Sequence, residues 1–202
     1  MNGFAKRKQQ SKEDIRRAAG ELFSQFGVDR VSMADIARKA GVSQATIYNN
    51  FENKEALTRE FVSTAVSELI SQVRVVLETP QNYHDKMEAF FQFISRMLAN
   101  NKPNGEISPV FSGSIDLQSD PEMMKIRAEA QEQMIGLLLV LAEEGRQQSQ
   151  INPQITDATL VLYFTAFMDL FSGSGIQQRA FRNPKLVLEL GNLMMFGLQG
   201  PR

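Results

Sequence analysis

The chain has 202 residues, 43% hydrophobic and 22% charged, with a formal net charge of −1; this length allows one domain or two small ones with an ample core. It has no cysteine and a single histidine, His84. Disulfides, thiolate metal sites and cysteine nucleophiles are therefore excluded, and little is left for a histidine metal site or a histidine-based triad.

Charge is unevenly spread. Residues 1–54 hold ten Lys/Arg against six Asp/Glu, or +4, and the remainder holds twelve against seventeen, or −5. Such a split is compatible with an N-terminal end that faces an anionic polymer. The opening "MNGFAKRKQQSKED" has a basic cluster but no apolar run behind it, unlike a signal peptide. The longest apolar run, "MIGLLLVLA" (134–142), is about half of the ~20 residues that cross a bilayer. A soluble, cytoplasmic protein without a membrane partner is expected.

In chain order, the sequence reads as helices nearly throughout. "SKEDIRRAAGELFSQFG" opens with Ser11 and Asp14 at capping-box spacing. Ile15, Ala18, Ala19, Leu22, Phe23 and Phe26 then fall on one helical face, and Gly27 ends it. "VSMADIARKAG" repeats the pattern: Ser32 and Asp35 cap, Met33, Ile36, Ala37 and Ala40 form the stripe, and Gly41 terminates. A short helix over Gln44–Phe51 follows. A long one then starts at the cap Asn53, carries Leu57, Phe61, Ala65, Leu69, Val73 and Leu77 on one face, and stops at Thr79-Pro80. About 25 residues of helix span roughly 38 Å.

Further helices are predicted over 83–101, 120–145, 156–173 and 184–197, the last weakened by Gly191. The segment 102–119 is a short helix or loop, because an isolated strand there would have no partner. "FSGS" occurs at 111–114 and 171–174 in unlike surroundings and is read as loop chemistry. The fold class is all-α.

The chemistry-bearing feature is the succession of two short helices joined through "GVS" (41–43). A helix pair of this kind, with glycine at the corner, is a helix-turn-helix, and the glycine suits the positive φ a sharp corner needs. At about 100° per residue, Ile47 and Phe51 lie about 40° apart and define the buried side. Ala45 and Asn49 lie opposite, Thr46 beside them, and Tyr48 and Asn50 on the flanks. Gln44 occupies the first turn, the end that usually enters a major groove. Asn and Gln can pair with adenine in bidentate fashion, and Ala45 can touch a thymine methyl. Thr46 and Tyr48 suit phosphate contacts. Lys54, in the first turn of the long helix, sits against the dipole; a phosphate there would suit both the lysine and the helix N-terminus, and a solvated lysine offset by Glu55 is the equal alternative. A structural helical hairpin with a polar outer face is the competing reading of this geometry.

The run "LFSQFGVDRVSMADIARKAGVSQATIYNNFENKEAL" resembles the N-terminal signature of the TetR family of transcriptional regulators. The resemblance covers about residues 11–60, and Ser32–Lys54 is its most specific part. It implies an N-terminal three-helix DNA-binding domain (1–54) and a C-terminal helical effector-binding and dimerisation domain (55–202). By position, Gln44, Ala45 and Asn49 stand where family members read bases, and Ser32, Thr46, Tyr48 and Lys54 where they hold phosphates. Met33 replaces a basic residue used by some members, and Asn50 occupies a position often held by His or Tyr. The arm Lys6-Arg7-Lys8 is placed to reach the DNA backbone or minor groove, or to serve as a solubilising tail.

The resemblance further implies a homodimer through the helices near 156–173 and 184–197. It also implies a small-molecule effector pocket, with Met87, Phe90, Phe91, Ile94, Met97, Phe111, Met134 and Phe167 as candidate lining. A Met- and Phe-rich cavity suits an apolar ligand, although each of these residues taken singly fits plain core better. No metal set, cofactor loop or nucleophile–base pair is found, and "GSG" (173–175) lacks the strand of a dinucleotide site, so no enzyme is expected. The expected function is a ligand-responsive regulator, a repressor binding a palindromic operator as a dimer. The rival is a helical ligand-binding or interaction protein whose helix-turn-helix is structural only.

Overall fold

The computed structural model describes residues 3–99, 120–172, 183 and 185–197. Among these, eight helices and no strand occur: α1 (Gly3–Phe26), α2 (Met33–Ala40), α3 (Gln44–Tyr48), α4 (Lys54–Leu77), α5 (Tyr83–Ala99), α6 (Pro121–Gln147), α7 (Asp157–Ser172) and α8 (Lys185–Phe196). The segment 102–119, both "FSGS" stretches in whole or part, and the "GSG" lie outside the described residues. The chain divides into two compact units, Met1–Ala65 with Asn101–Met124 and Val66–Asn100 with Lys125–Arg202. The first half of α4 belongs to one unit and the second half to the other.

In the first unit, the predicted stripes meet in one core. Ile15, Ala18, Ala19 and Phe23 of α1 are buried with Val31, with Met33, Ile36 and Ala37 of α2, and with Ile47, Phe51 and Leu57. Phe26, expected on the same stripe, is instead 49% exposed: it is the last helical residue, beyond the turn that the core covers. The start of α1 also differs from the sequence reading. The helix begins at Gly3, about two turns before the Ser11–Asp14 box. Ala5 to Gln10 are all good helix formers, so the helix propagates through the expected cap. Ser11 then lies mid-helix with its Oγ buried and unpartnered, while Asp14 pairs with Arg17 at 2.6 Å. Lys6, Arg7 and Lys8 thus lie exposed on this helix. Glu60 of α4 ties down α1 by pairing with Lys12 at 3.2 Å and with Arg16.

In the second unit, Val73 and Leu77 of α4 are buried with residues of α5, α6, α7 and α8, such as Met87, Phe91, Leu138, Leu141, Phe164 and Val187. Two ionic contacts pin its periphery. Lys86, only 6% exposed, reaches Glu144 at 2.6 Å. Arg146 at the end of α6 binds Glu143, Asp157 and the Ile155 carbonyl, which fixes the turn into α7. At Gly191 α8 lies tight against α5: a Cβ there would lie 2.5 Å from Phe91 Cγ. The glycine that weakens the helix in the sequence is what the packing requires.

Two glycine substitutions separate these effects. Gly191→Ala must displace the Phe91 ring and should destabilise by about 1–3 kcal/mol. Gly136→Ala, in the exposed interior of α6 where a Cβ meets nothing within 4 Å, should stabilise by about 0.5–1 kcal/mol. Thermal denaturation checks the opposite signs of the two Tm shifts.

Candidate nucleic-acid interface

Local chemistry sets both helices of the pair. Ser32 caps α2: its Oγ accepts from the Asp35 backbone N–H at 3.1 Å, and the Asp35 carboxylate accepts from the Ser32 N–H and hydroxyl at 3.1 and 2.6 Å. These hydrogen bonds, with Arg38 nearby, hold the Asp35 carboxyl below its ordinary pKa. At the other end, Gly41 takes the left-handed conformation, φ 68°, and Val42 N–H donates to Ala37 O at 3.0 Å. Ser43 then caps α3 through the Thr46 N–H at 3.1 Å.

Helix α3 is shorter than expected, ending at Tyr48 and not at Phe51. The Asn50 N–H donates to Ile47 O at 2.9 Å, which tightens the last turn, and the Phe51 N–H donates to the same carbonyl at 2.8 Å. The Asn50 side chain completes the end by donating from Nδ2 to Thr46 O at 2.8 Å. Asn50 is half-buried, with its Oδ1 unpartnered, so it serves the helix terminus and does not face outward. The orientation is otherwise as predicted. Ile47 is fully buried and Phe51 nearly so, while Gln44, Ala45, Tyr48 and Asn49 are exposed. Thr46 is half-buried, its hydroxyl 2.8 Å from that of Ser43.

Lys54 opens α4, next to Asn53, whose Oδ1 accepts from the Ala56 N–H at 2.7 Å. Together with Ser32, Met33, Gln44 and Tyr48, Lys54 lines an open cleft of about 510 Å³. The cleft therefore gathers three of the four residues expected at phosphates and one of the three expected at bases. Ala45, Thr46 and Asn49 are not among its lining. Asp29 and Arg30, which the sequence reading did not single out, also line it; their charge was visible, but their place beside Lys54 depends on the fold.

Residues 15–61 match the family profile described as "Bacterial regulatory proteins, tetR family". The N-terminal region is thus similar to that of TetR-family regulators. Similar relatives include the HTH-type transcriptional activator FasR of Mycolicibacterium smegmatis, 36% identical over 81 residues, which are 38% of this chain and 37% of that protein. An uncharacterised HTH-type transcriptional regulator of Mycobacterium tuberculosis is 34% identical over 59 residues, 29% of this chain and 31% of its own length. The chain thus spans about a third of the length of the relatives it matches. The fold is similar over a greater length. The fatty acid degradation regulator FadR from Bacillus halodurans superposes with a TM-score of 0.72 at 19% identity, covering 95% of this chain and 97% of that one. Escherichia coli NemR in its reduced form gives 0.72 at 16% identity, covering 95% and 100%.

The residues proposed for the effector side of the TetR resemblance gather in the second unit. Met87, Phe90 and Phe91 are buried, and Ile94, Met97, Met134 and Phe167 are half-buried against the same cluster. Phe111 lies outside the described residues. Phe91 meets Phe90 and Phe167 edge-on, with ring centroids 5.3 and 5.7 Å apart. A separate cleft of about 370 Å³ between α5 and α8 shares only Phe91 with this set. His84 is exposed at the edge of that cleft, 5.7 Å from the Phe196 ring.

Asn50→Ala removes the side-chain donor to Thr46 O and should lower stability by about 0.5–1.5 kcal/mol. The midpoint of urea denaturation reads this, and an unchanged midpoint would contradict the capping role.

Proposed function

We propose that the chain is a ligand-responsive transcriptional repressor. On this reading, residues 1–54 read a palindromic operator, residues 55–202 bind a small apolar effector and dimerise, and the effector releases the DNA. One observation carries the reading: in a TetR-type helix-turn-helix, α3 buries Ile47 completely and exposes Gln44, Ala45, Tyr48 and Asn49. Gln44 and Asn49 then pair with bases, Ala45 meets a thymine methyl, and Ser32, Thr46, Tyr48 and Lys54 hold phosphates. For Thr46 to donate to a phosphate, the Ser43 hydroxyl must act as the donor in their shared contact, and Ser32 must turn its hydroxyl proton away from Asp35.

Dimerisation is supported by apolar side chains left on the outer surfaces of α7 and α8. Leu162 is 73% exposed, and Tyr163, Leu188 and Leu193 also face solvent. Exposed apolar patches of this kind mark interaction sites, and a two-fold dimer matches a palindromic site. The effector class is supported by the Met- and Phe-rich cluster. A structural neighbour, FadR from Bacillus subtilis (TM-score 0.71, 19% identity, covering 92% of this chain and 98% of that one), was solved in complex with stearoyl-CoA. Long-chain acyl compounds are therefore the first ligands to test. Helix α4, shared by the two units, is the proposed link, with a coupling on the order of 1–3 kcal/mol.

Binding to duplex DNA that weakens steeply with salt in a gel shift supports this function; no binding even at low salt would leave the helix-turn-helix structural. Asn49→Ala should change base preference at one operator position by roughly 1–3 kcal/mol, and unchanged preference at every position would remove it from the reading set. Leu162→Asp with Leu193→Asp should shift the protein to monomer in sedimentation experiments and weaken operator binding. A dimer of undiminished affinity would place the interface elsewhere.

A further inference from the structure

The basic residues of the first unit fall into two classes. From Lys12 to Arg59 there are eight. Lys12 and Arg16 pair with Glu60, Arg17 with Asp14, Arg38 with Asp35, Lys39 with Glu21 and Arg59 with Asp120. Only Arg30 and Lys54 have no carboxylate partner among the described residues, and both line the one cleft that also holds the Ser32 and Tyr48 side chains. Asp29 lines the same cleft but forms an ion pair with neither.

Arg30 is not a loosely tethered side chain. Its loop leaves α1 through Gly27, at φ +80°, and the Val31 N–H donates to Val28 O at 3.2 Å. Val31 itself is 3% exposed and anchored in the core, one residue before the cap Ser32. The backbone on the C-terminal side of Arg30 is thereby fixed while its guanidinium remains exposed. A cation held this way, in one cleft with a second unpaired cation and with Tyr48, forms an anion site. A guanidinium suits phosphate in particular, because its planar fork can donate twice.

We infer that Arg30 is a phosphate-binding residue of the DNA interface, gripping with Lys54 the stretch of backbone that enters this cleft. This rests on the DNA-binding reading. It adds a contact from the α1–α2 loop, outside the two helices of the reader. Phosphate contacts position the protein without specifying bases, so the effect should be uniform across sequences.

The test measures affinity for the operator and for an unrelated duplex, over a range of salt, using the 202-residue chain and the variants Arg30→Ala, Arg30→Lys and Lys54→Ala. Each loss of a phosphate contact lowers the salt slope by about 0.9. For Arg30→Ala, the affinity deficit relative to the unmodified protein should therefore shrink about 3.5-fold between roughly 50 and 200 mM salt, equally on both duplexes. Arg30→Lys should retain the slope and lose only part of the affinity. Unchanged melting of the free variants shows that folding is not the cause. If Lys54→Ala lowers the slope and Arg30→Ala does not, the role of Arg30 falls while the DNA reading stands. A loss confined to one base-pair position would also overturn it, by making Arg30 a base reader. If the unmodified protein binds neither duplex, both readings fall together.

Discussion

The interface depends on the burial of two side chains, Ile47 and Phe51. A helix of five residues is far below the ~12–15 that hold together in water, so α3 exists only because tertiary contacts hold it. Ile47 and Phe51 sink into the core with Phe23, Ile36 and Leu57, each burial favouring the fold by about 1.5–3 kcal/mol. Side-chain hydrogen bonds then finish the two ends, Ser43 at the first turn and Asn50 at the last. Because anchoring and capping are assigned to these four residues, Gln44, Ala45, Tyr48 and Asn49 carry no packing duty. Their outward polarity needs no compensation within the protein.

Charge is distributed by the same logic. The +4 of residues 1–54 suggests a diffuse basic surface, but most of its cations from Lys12 onward are neutralised locally. Exposed ion pairs of this sort contribute little to stability. Their consequence here is positional: pairing engages Lys12, Arg16, Arg17, Arg38 and Lys39 and leaves Arg30 and Lys54 without a carboxylate partner among the described residues. An anion approaching this part of the unit meets uncompensated charge where the cap of α2, the start of α3 and the start of α4 converge on one cleft.

How much of this was legible in the sequence follows from how local each determinant is. Ser32, Asp35 and Gly41 announce α2 because a cap and a left-handed terminator act within a few residues, and the 3.6-residue period identifies Ile47 and Phe51. The start of α1 was misread because Ser11 and Asp14 satisfy a capping pattern as well as a helix interior, and only the helical run from Gly3 decides between them. Asn50 and Gly191 escaped for another reason. The role of Asn50 depends on which carbonyl the tightened last turn of α3 leaves for its amide, and that of Gly191 on how near Phe91 approaches. Arg30 is of the same type, since its lack of a partner is a property of every carboxylate around it.

The apolar cluster of the second unit illustrates the remaining limit of sequence reasoning. Its residues were legible as candidate lining, but the same composition serves a solid core or a cavity wall, and the difference lies in which side chains can move. Phe91 is held on three sides, by Phe90, by Phe167 and by the close approach at Gly191, so it is a fixed wall. Met97 and Met134 are only half-buried against the cluster, and methionine, unbranched and rotatable about three bonds, can reshape at little cost. On the proposed reading, an apolar effector would enter by displacing the methionines against the aromatic wall. The ligand's shape would then be set by what does not move, while its size is accommodated by what does.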